Sequence, residues 1–378
     1  MRIKSMPFLF AILAIALVLS ACASATPEIA EVIEEPVQID EPVVEPTEEP
    51  APTEEPEPDW ESPEGALVSI AVETAPELDG AADDLWADAP AIQVEVEGGA
   101  NMGETVVSIQ SVYKDDMVYF YVTWEDPTQS FFRSPWEKQE DGTWMKITDP
   151  DDRGGDNNVY YEDKLSFIWT IDNSIPKFES QGCGPACHAG EDSDDKPYGN
   201  KYTDEEGQYG DIWHWKSVRN LGQVDDQYLD WTRFSPDTRG AGRHGDPKDA
   251  GGYVNNENED KTAPAWMGPE GFPTDGSPGF LLESEIVEFD DSQFIPGDIV
   301  PGIYKAPFEG DRGDISAGWV YVDGMWVLEI GRALETGSEF DVQFNDMAAE
   351  YYFGVAIFDN AQVRHAYQFG VNTLVFKP

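Results

Sequence analysis

Cysteine, histidine and positive charge are all scarce in this chain. Its 378 residues include three Cys, four His and 23 Lys plus Arg, against 75 Asp plus Glu. So few cysteines exclude a disulfide-stapled scaffold. A formal net charge of −52 excludes a nucleic-acid binder working through a basic face, since that binding depends on Lys and Arg neutralising phosphates. Helical periodicity of useful length is missing outside the N-terminal segment. Aromatic side chains, in contrast, are plentiful: 12 Trp, 15 Tyr and 19 Phe can build a sizeable core, which excludes disorder along the whole chain.

The N-terminus reads as an address rather than as fold. Arg2 and Lys4 precede an apolar run from Pro7 to Leu19, which ends in Leu19-Ser20-Ala21-Cys22. A basic start, a short apolar stretch and small residues before a cleavage point predict an export signal over 1–21, too short to span a membrane. Cys22 after Leu-Ser-Ala resembles the lipobox of bacterial lipoproteins, which implies an extracytoplasmic protein whose Cys22 carries the lipid anchor. From Ala23 to Gly65 there are 15 acids, nine prolines and no Lys or Arg. Such a segment repels itself and buries nothing, so 22–65 is expected to be an extended tether, reaching on the order of 120 Å at about 3.1 Å per residue. The remaining 66–378 carries 60 acids against 21 bases, so most of the charge belongs to the body and not to the tether.

The body reads as all-β. Glu104 to Tyr113 largely alternates polar and apolar residues, turns at Lys114-Asp115-Asp116, and is followed at once by Met117 to Trp124. Two Val/Tyr/Phe/Thr-rich runs around a short polar turn predict a hairpin. Further strands are expected at Lys164 to Ile171, Gly318 to Val322, Trp326 to Ile330, Glu339 to Phe344, Tyr351 to Phe358 and Thr373 to Phe376. The economical architecture is a two-sheet antiparallel β-sandwich. Between Asp172 and about Pro301 the pattern lapses into a long Gly/Pro/Asp/Asn-rich insertion containing Trp213-His214-Trp215 and Trp266-Met267, and a loop region of that length is usually functional or disordered. The acid-rich pieces Asp149 to Asn158 and Glu191 to Asp195 offer oxygens for Ca²⁺, although neither has EF-hand spacing.

That insertion carries the one motif with sharp chemistry, Cys183-Gly184-Pro185-Ala186-Cys187-His188. In c-type cytochromes two thiols bond the haem and the following His ligates its iron; the usual spacing is C-x₂-C-H and this one is C-x₃-C-H. A disulfide would close a very small loop, and a zinc site would need a fourth ligand that no further Cys supplies; a free thiol pair is the remaining alternative. Covalent haem uses every cysteine: Cys22 for the anchor, Cys183 and Cys187 for the haem. The sixth iron position has His365, His214 and Met267 as candidates, while His244 sits in a polar loop.

Several segments together resemble a known family. They are Leu78-Asp79-Gly80 with Asp84-Leu85-Trp86, Tyr119-Phe120 to Trp124-Glu125-Asp126, Asp211 to Lys216, Gly310 to Asp314, Trp326 to Leu334, and Phe358 to His365. In this order they resemble the haem-binding domain shared by cytochrome c-552-type proteins and the gamma subunit of ethylbenzene dehydrogenase, over about Val68 to Pro378. The resemblance implies a β-sandwich holding one haem between loops at the edge of the sheets. In the gamma subunits a Met and a Lys hold that haem. Here the Cys183–His188 motif falls near the Met position and His365 near the Lys position, which implies a bis-His haem c with His188 proximal and His365 distal.

The expected function is therefore single-electron transfer by a lipid-anchored monohaem cytochrome, more a redox subunit than a stand-alone enzyme, docking a redox partner through that partner's basic face. The alternatives are a carbohydrate- or solute-binding sandwich lipoprotein, since Leu78-Asp79-Gly80…Trp86 also resembles sugar-binding modules, and a haem enzyme with an open iron site.

Overall fold

The structure, a computed structural model, describes residues 60–152, 155–187, 200–269 and 279–378. Thirteen strands form the main sheet. In chain order they are β1 (Leu67–Ala71), β2 (Ile92–Glu97), β3 (Glu104–Lys114), β4 (Met117–Glu125), β5 (Lys164–Thr170), β6 (Gly210–Lys216), β7 (Asp225–Leu229), β8 (Arg243–Gly245), β9 (Ser316–Val322), β10 (Met325–Ala333), β11 (Tyr351–Phe358), β12 (Ala366–Tyr367) and β13 (Asn372–Phe376). The sheet runs β8-β7-β6-β5-β11-β12-β2-β3-β4-β10-β9. It doubles back on itself, so β9-β10-β4-β3-β2 covers β11-β5-β6-β7-β8. The fold is all-β and sandwich-like. Among the described residues no helix is long and apolar enough to cross a membrane.

The pleat of the strands explains the two layers. Phe120 and Trp124 on β4 point inward and meet Trp213 and Trp215 on β6 at ring separations of 5.5 and 5.7 Å. Phe167 and Trp169 on β5 and Phe353, Val355 and Ile357 on β11 join the same core. Fully burying an aromatic or large aliphatic side chain is worth about 1.5–3 kcal/mol, and packed aromatic pairs add about 0.5–1.5. Inward residues therefore recur at every second position, the signature of strands rather than helices.

Most expected strands are present, the β3–β4 hairpin included, with Lys114 opposite Met117 and Asp115 in the left-handed region at φ 53°. Three details differ from expectation. Glu339 to Phe344 is not a strand; it is an irregular segment whose Phe344 amide donates to the Leu334 carbonyl. The sandwich is not purely antiparallel, because β1 runs parallel to both β3 and β13. The stretch from Asp172 to Pro301 is not loop throughout: β6, β7 and β8 lie within it, and β6 is buried at every position. A strand covered on both faces loses the polar/apolar alternation by which strands are recognised.

The Leu78-Asp79-Gly80…Trp86 motif serves as a latch. The Glu329 carboxylate on β10 accepts from the amides of Asp79 and Gly80 at 3.1 and 2.9 Å and from the Trp86 indole at 3.0 Å. Gly80, at φ 81°, lies so close to the chain that an added Cβ would sit 2.6 Å from the Trp319 carbonyl carbon.

Candidate functional site

The side chains of β5, β6 and β11 that point away from the core create the site. Ser166, Ile168, Ile212, His214, Gly354, Ala356 and Phe358 alternate with the core residues, and strand pairing sets Ser166 opposite both His214 and Ala356, and Ile168 opposite both Ile212 and Gly354. Ser, Gly and Ala are small, so this outer face offers a flat floor beside the larger His214 and Phe358.

Two short helical turns roof that floor: α1 (Phe178–Gln181) and α2 (Gly184–Cys187). The Cys187 amide donates to the Cys183 carbonyl at 2.8 Å, so the two thiols stand four residues apart on one face of a helical turn. That is the structural meaning of the three-residue spacer. Cys183 packs with Ile168, Ile175, Phe178 and Ile212, with its Cβ and backbone against Gly354. Between the turns Gly182 takes φ 60°, and a Cβ there would sit 1.8 Å from the Gly370 carbonyl oxygen, so only glycine lets the roof come this close. Both cysteines are free thiols. Burial pushes the Cys183 thiol up to about 12, with Cys187 reinforcing it, and burial raises Cys187 as well.

Cys183, Cys187, His214 and His365 line one pocket, together with Lys201 and Arg243. His365 arrives just before β12, its ring 4.7 Å from Phe358, which in turn lies 5.5 Å from His214. His214 is 4% exposed, and burial, followed by the charges of Lys216 and Arg243, holds its pKa well below 6.5. Arg243 donates through Nη2 to His214 Nδ1, which assigns the ring proton to Nε2. That Nε2 is buried without a hydrogen-bond partner. As placed, Nε2 of this pocket-lining His214 is an unpaired N–H donor rather than a lone pair.

The remaining nominated residues fall as follows. His188 and Glu191 to Asp195 lie outside the described residues, as does Cys22. Met267 is buried in a separate cluster with Trp136, Trp144, Phe294 and Val300, and the structure does not bring it to the cysteines. His244 bonds Asp230 at 3.1 Å and stacks on Tyr228. In the Asp149 to Asn158 loop, Asp149 and Asp152 accept backbone amides and Asp156 pairs with Arg364. Sequence reasoning missed Lys201 and Arg243, both cations lining this pocket. Each sits in a polar stretch without periodicity, and nothing local marks it.

The residues present fit a covalent haem by donor chemistry: two unpaired thiols on one face, an imidazole from a distant segment, an orphaned buried N–H, and two cations suited to propionate carboxylates. The void among them is about 20 Å³, room for about one water, so a macrocycle could enter only with rearrangement of the residues that line it.

The family model described as ethylbenzene dehydrogenase matches residues 83–369. The chain belongs to that family. None of the curated proteins matches. The solved structures similar to this family member include a family 9 carbohydrate-binding module from Caldicellulosiruptor kristjanssonii in complex with cellotriose, at 7% identity and TM-score 0.32, covering 82% of this chain and 93% of that chain. A family 9 carbohydrate-binding module from the same organism in complex with glucose aligns at 8% identity and TM-score 0.30, covering 82% of this chain and 95% of that one. A further match is titled a putative carbohydrate-binding protein from Bacteroides uniformis, at 8% identity and TM-score 0.30, over 82% of this chain and 98% of that one. These likenesses are too distant to assign a ligand.

Proposed function

We propose that this chain is an extracytoplasmic monohaem c-type cytochrome, held to a membrane through Cys22 and an acidic tether, that passes single electrons between redox partners. The observation that carries the reading is the convergence of Cys183 and Cys187 with His365, a residue far away in sequence, on one pocket. Cys183 and Cys187 would hold the haem by thioether bonds, and His188 and His365 would ligate its iron. Lys201, Arg243 and the His214 Nε2–H would face its carboxylates. When bound, haem supplies one-electron exchange at iron. This chain's residues position the group, keep water from its buried side and set its electrostatics. An acidic surface favours the more positive ferric state and attracts a basic partner.

The second reading is a carbohydrate-binding sandwich, the class named in the titles of the similar solved structures. A different cavity favours it, an open cleft of about 690 Å³ lined by Trp136, Trp144 and Phe289 with Lys146, Lys261 and Asp291. Trp136 and Trp144 are themselves largely buried there, with Lys146 and Lys138 over their rings, so a sugar would meet only their edges beside the polar groups.

Expression with a cytochrome c maturation system, followed by a denaturing gel stained for haem, separates the two readings. A stained band that disappears in Cys183→Ala/Cys187→Ala supports the cytochrome. An unstained wild type sinks it. Glycan binding by calorimetry that is lost in Trp144→Ala would then support the second reading.

A further inference from the structure

Fewer cations than anions are buried among the described residues, and the buried carboxylates gather in two triads, Asp126 with Asp163 and Asp359, and Asp226 with Asp246 and Asp341. Adjacent residues on a strand point to opposite faces, so Asp225 and Asp226 on β7 have opposite fates. Asp225 is fully partnered: it pairs with Lys216, receives Arg312 at 2.6 Å and accepts from Gln227 Nε2 at 2.8 Å. Asp226 on the other face has an Oδ2 with no partner. Opposite it stand Asp246, just after β8, and Asp341, in the irregular segment after β10. One carboxylate oxygen from each of the three lies within 4.8 Å of the other two. Asp226, Asp246 and Asp341 are 0%, 3% and 1% exposed. Neither Asp246 oxygen receives a hydrogen bond from a nitrogen or hydroxyl donor, nor does Asp341 Oδ1 or Oδ1 of neighbouring Asp211, and Asp246 lies within hydrogen-bond reach of the Asp341 carboxyl. Arg332 is the buried cation at hand, and it is committed to Asp341 Oδ2 at 3.1 Å and Asp211 Oδ2 at 3.9 Å.

Buried carboxylates crowded this closely must be neutralised by protons or by a cation. We propose that Asp226, Asp246 and Asp341 form a structural Ca²⁺ site that fastens the β7–β8 pair to the segment following β10. Oxygens coordinated at about 2.3–2.6 Å stand at most about 5 Å apart, which these do. The donors are all carboxylate oxygens, with no Cys or His among them, so the site suits a hard cation. Mg²⁺ keeps most of its water and takes only one or two carboxylates, whereas three converging buried carboxylates suit Ca²⁺. The backbone supports the arrangement, since the Asp246 amide donates to the Asp226 carbonyl at 3.2 Å. This site is separate from the Asp149 to Asn158 loop and does not depend on the haem reading. It does hold the strand that carries Arg243.

The test uses the full chain, stripped with chelator and dialysed. Calorimetry with CaCl₂ and thermal unfolding with and without about 1 mM Ca²⁺ or Mg²⁺ should show saturable Ca²⁺ binding and a melting temperature raised by Ca²⁺ but not by Mg²⁺. Asp226→Asn and Asp246→Asn should each abolish the Ca²⁺-dependent shift, and Asp151→Asn in the exposed loop should keep it. A wild type that neither binds Ca²⁺ nor shifts means that protons neutralise the cluster, which overturns the proposal. Loss of the shift in Asp151→Asn places the ion in the loop and overturns it equally. That second arm stays decisive if the buried variants fail to fold.

Discussion

Arg243 donates to Nδ1 of His214, a residue lining the pocket, and thereby leaves the ring proton on a buried, unpartnered Nε2. A ring fixed in this tautomer is a hydrogen-bond donor at Nε2, whereas an iron ligand needs a lone pair there. Under the proposed haem reading, this geometry makes His365 the expected distal ligand and His214 the expected donor to an anionic group.

The two histidines are separable by spectroscopy. In haem-loaded protein, His365→Ala should convert a low-spin absorption spectrum to a high-spin one, while His214→Ala should leave it low-spin. A His365→Ala protein that remains low-spin removes His365 from the iron.

Gly182→Ala should lower stability by about 2 kcal/mol or more, because the position combines φ 60° with a 1.8 Å approach to the Gly370 carbonyl. The same change should reduce haem incorporation, since it lifts the turn carrying both cysteines. Urea unfolding and haem-stained gels measure the two effects. An unchanged midpoint with normal staining would mean the roof does not depend on this contact.

Glu329→Ala should cost about 2–4 kcal/mol by leaving the amides of Asp79 and Gly80 and the Trp86 indole without their acceptor. Glu329→Gln, which keeps one acceptor oxygen, should cost less. If the opening motif instead served sugar recognition, both variants would unfold like wild type and lose glycan binding.

Asp126 gives a pH prediction with a defined sign. Burial raises its pKa from 3.8 to about 7, with the Asp359 charge adding to the rise against an opposing bond from the Thr128 amide. A group whose folded-state pKa is raised contributes its full stability below about 3.8 and loses it as pH rises through about 7. Its Oδ2 lacks a partner while Oδ1 accepts from the Thr128 amide at 3.0 Å, so an amide fits the site without a charge. Asp126→Asn should match wild type below about pH 3.8, exceed it increasingly as pH rises, and hold a constant advantage above about pH 7. Equal pH profiles for the two proteins would show that Asp126 titrates normally.

Local chemistry was legible wherever it repeats within a few residues. The β3–β4 hairpin, β11 and the Cys183–Cys187 pair were readable because period-two alternation and a fixed cysteine spacing are short-range properties. β6 was not, because burial on both faces erases the alternation. Lys201 and Arg243 were not, because Arg243 meets the cysteines only through strand pairing and Lys201 only through an irregular segment whose carbonyl accepts from the Gly242 amide.

The sequence by itself determined the charge, the all-β class and the thiol pair that defines the candidate site. Those features rest on composition and on contacts within one turn or one hairpin. Only the tertiary structure decided which histidines face those thiols, that Met267 belongs to another cluster, and that Asp226, Asp246 and Asp341 meet in the interior. These are contacts across strands, and their register is set by burial of the Trp- and Phe-rich inner faces, which no local stretch of sequence records.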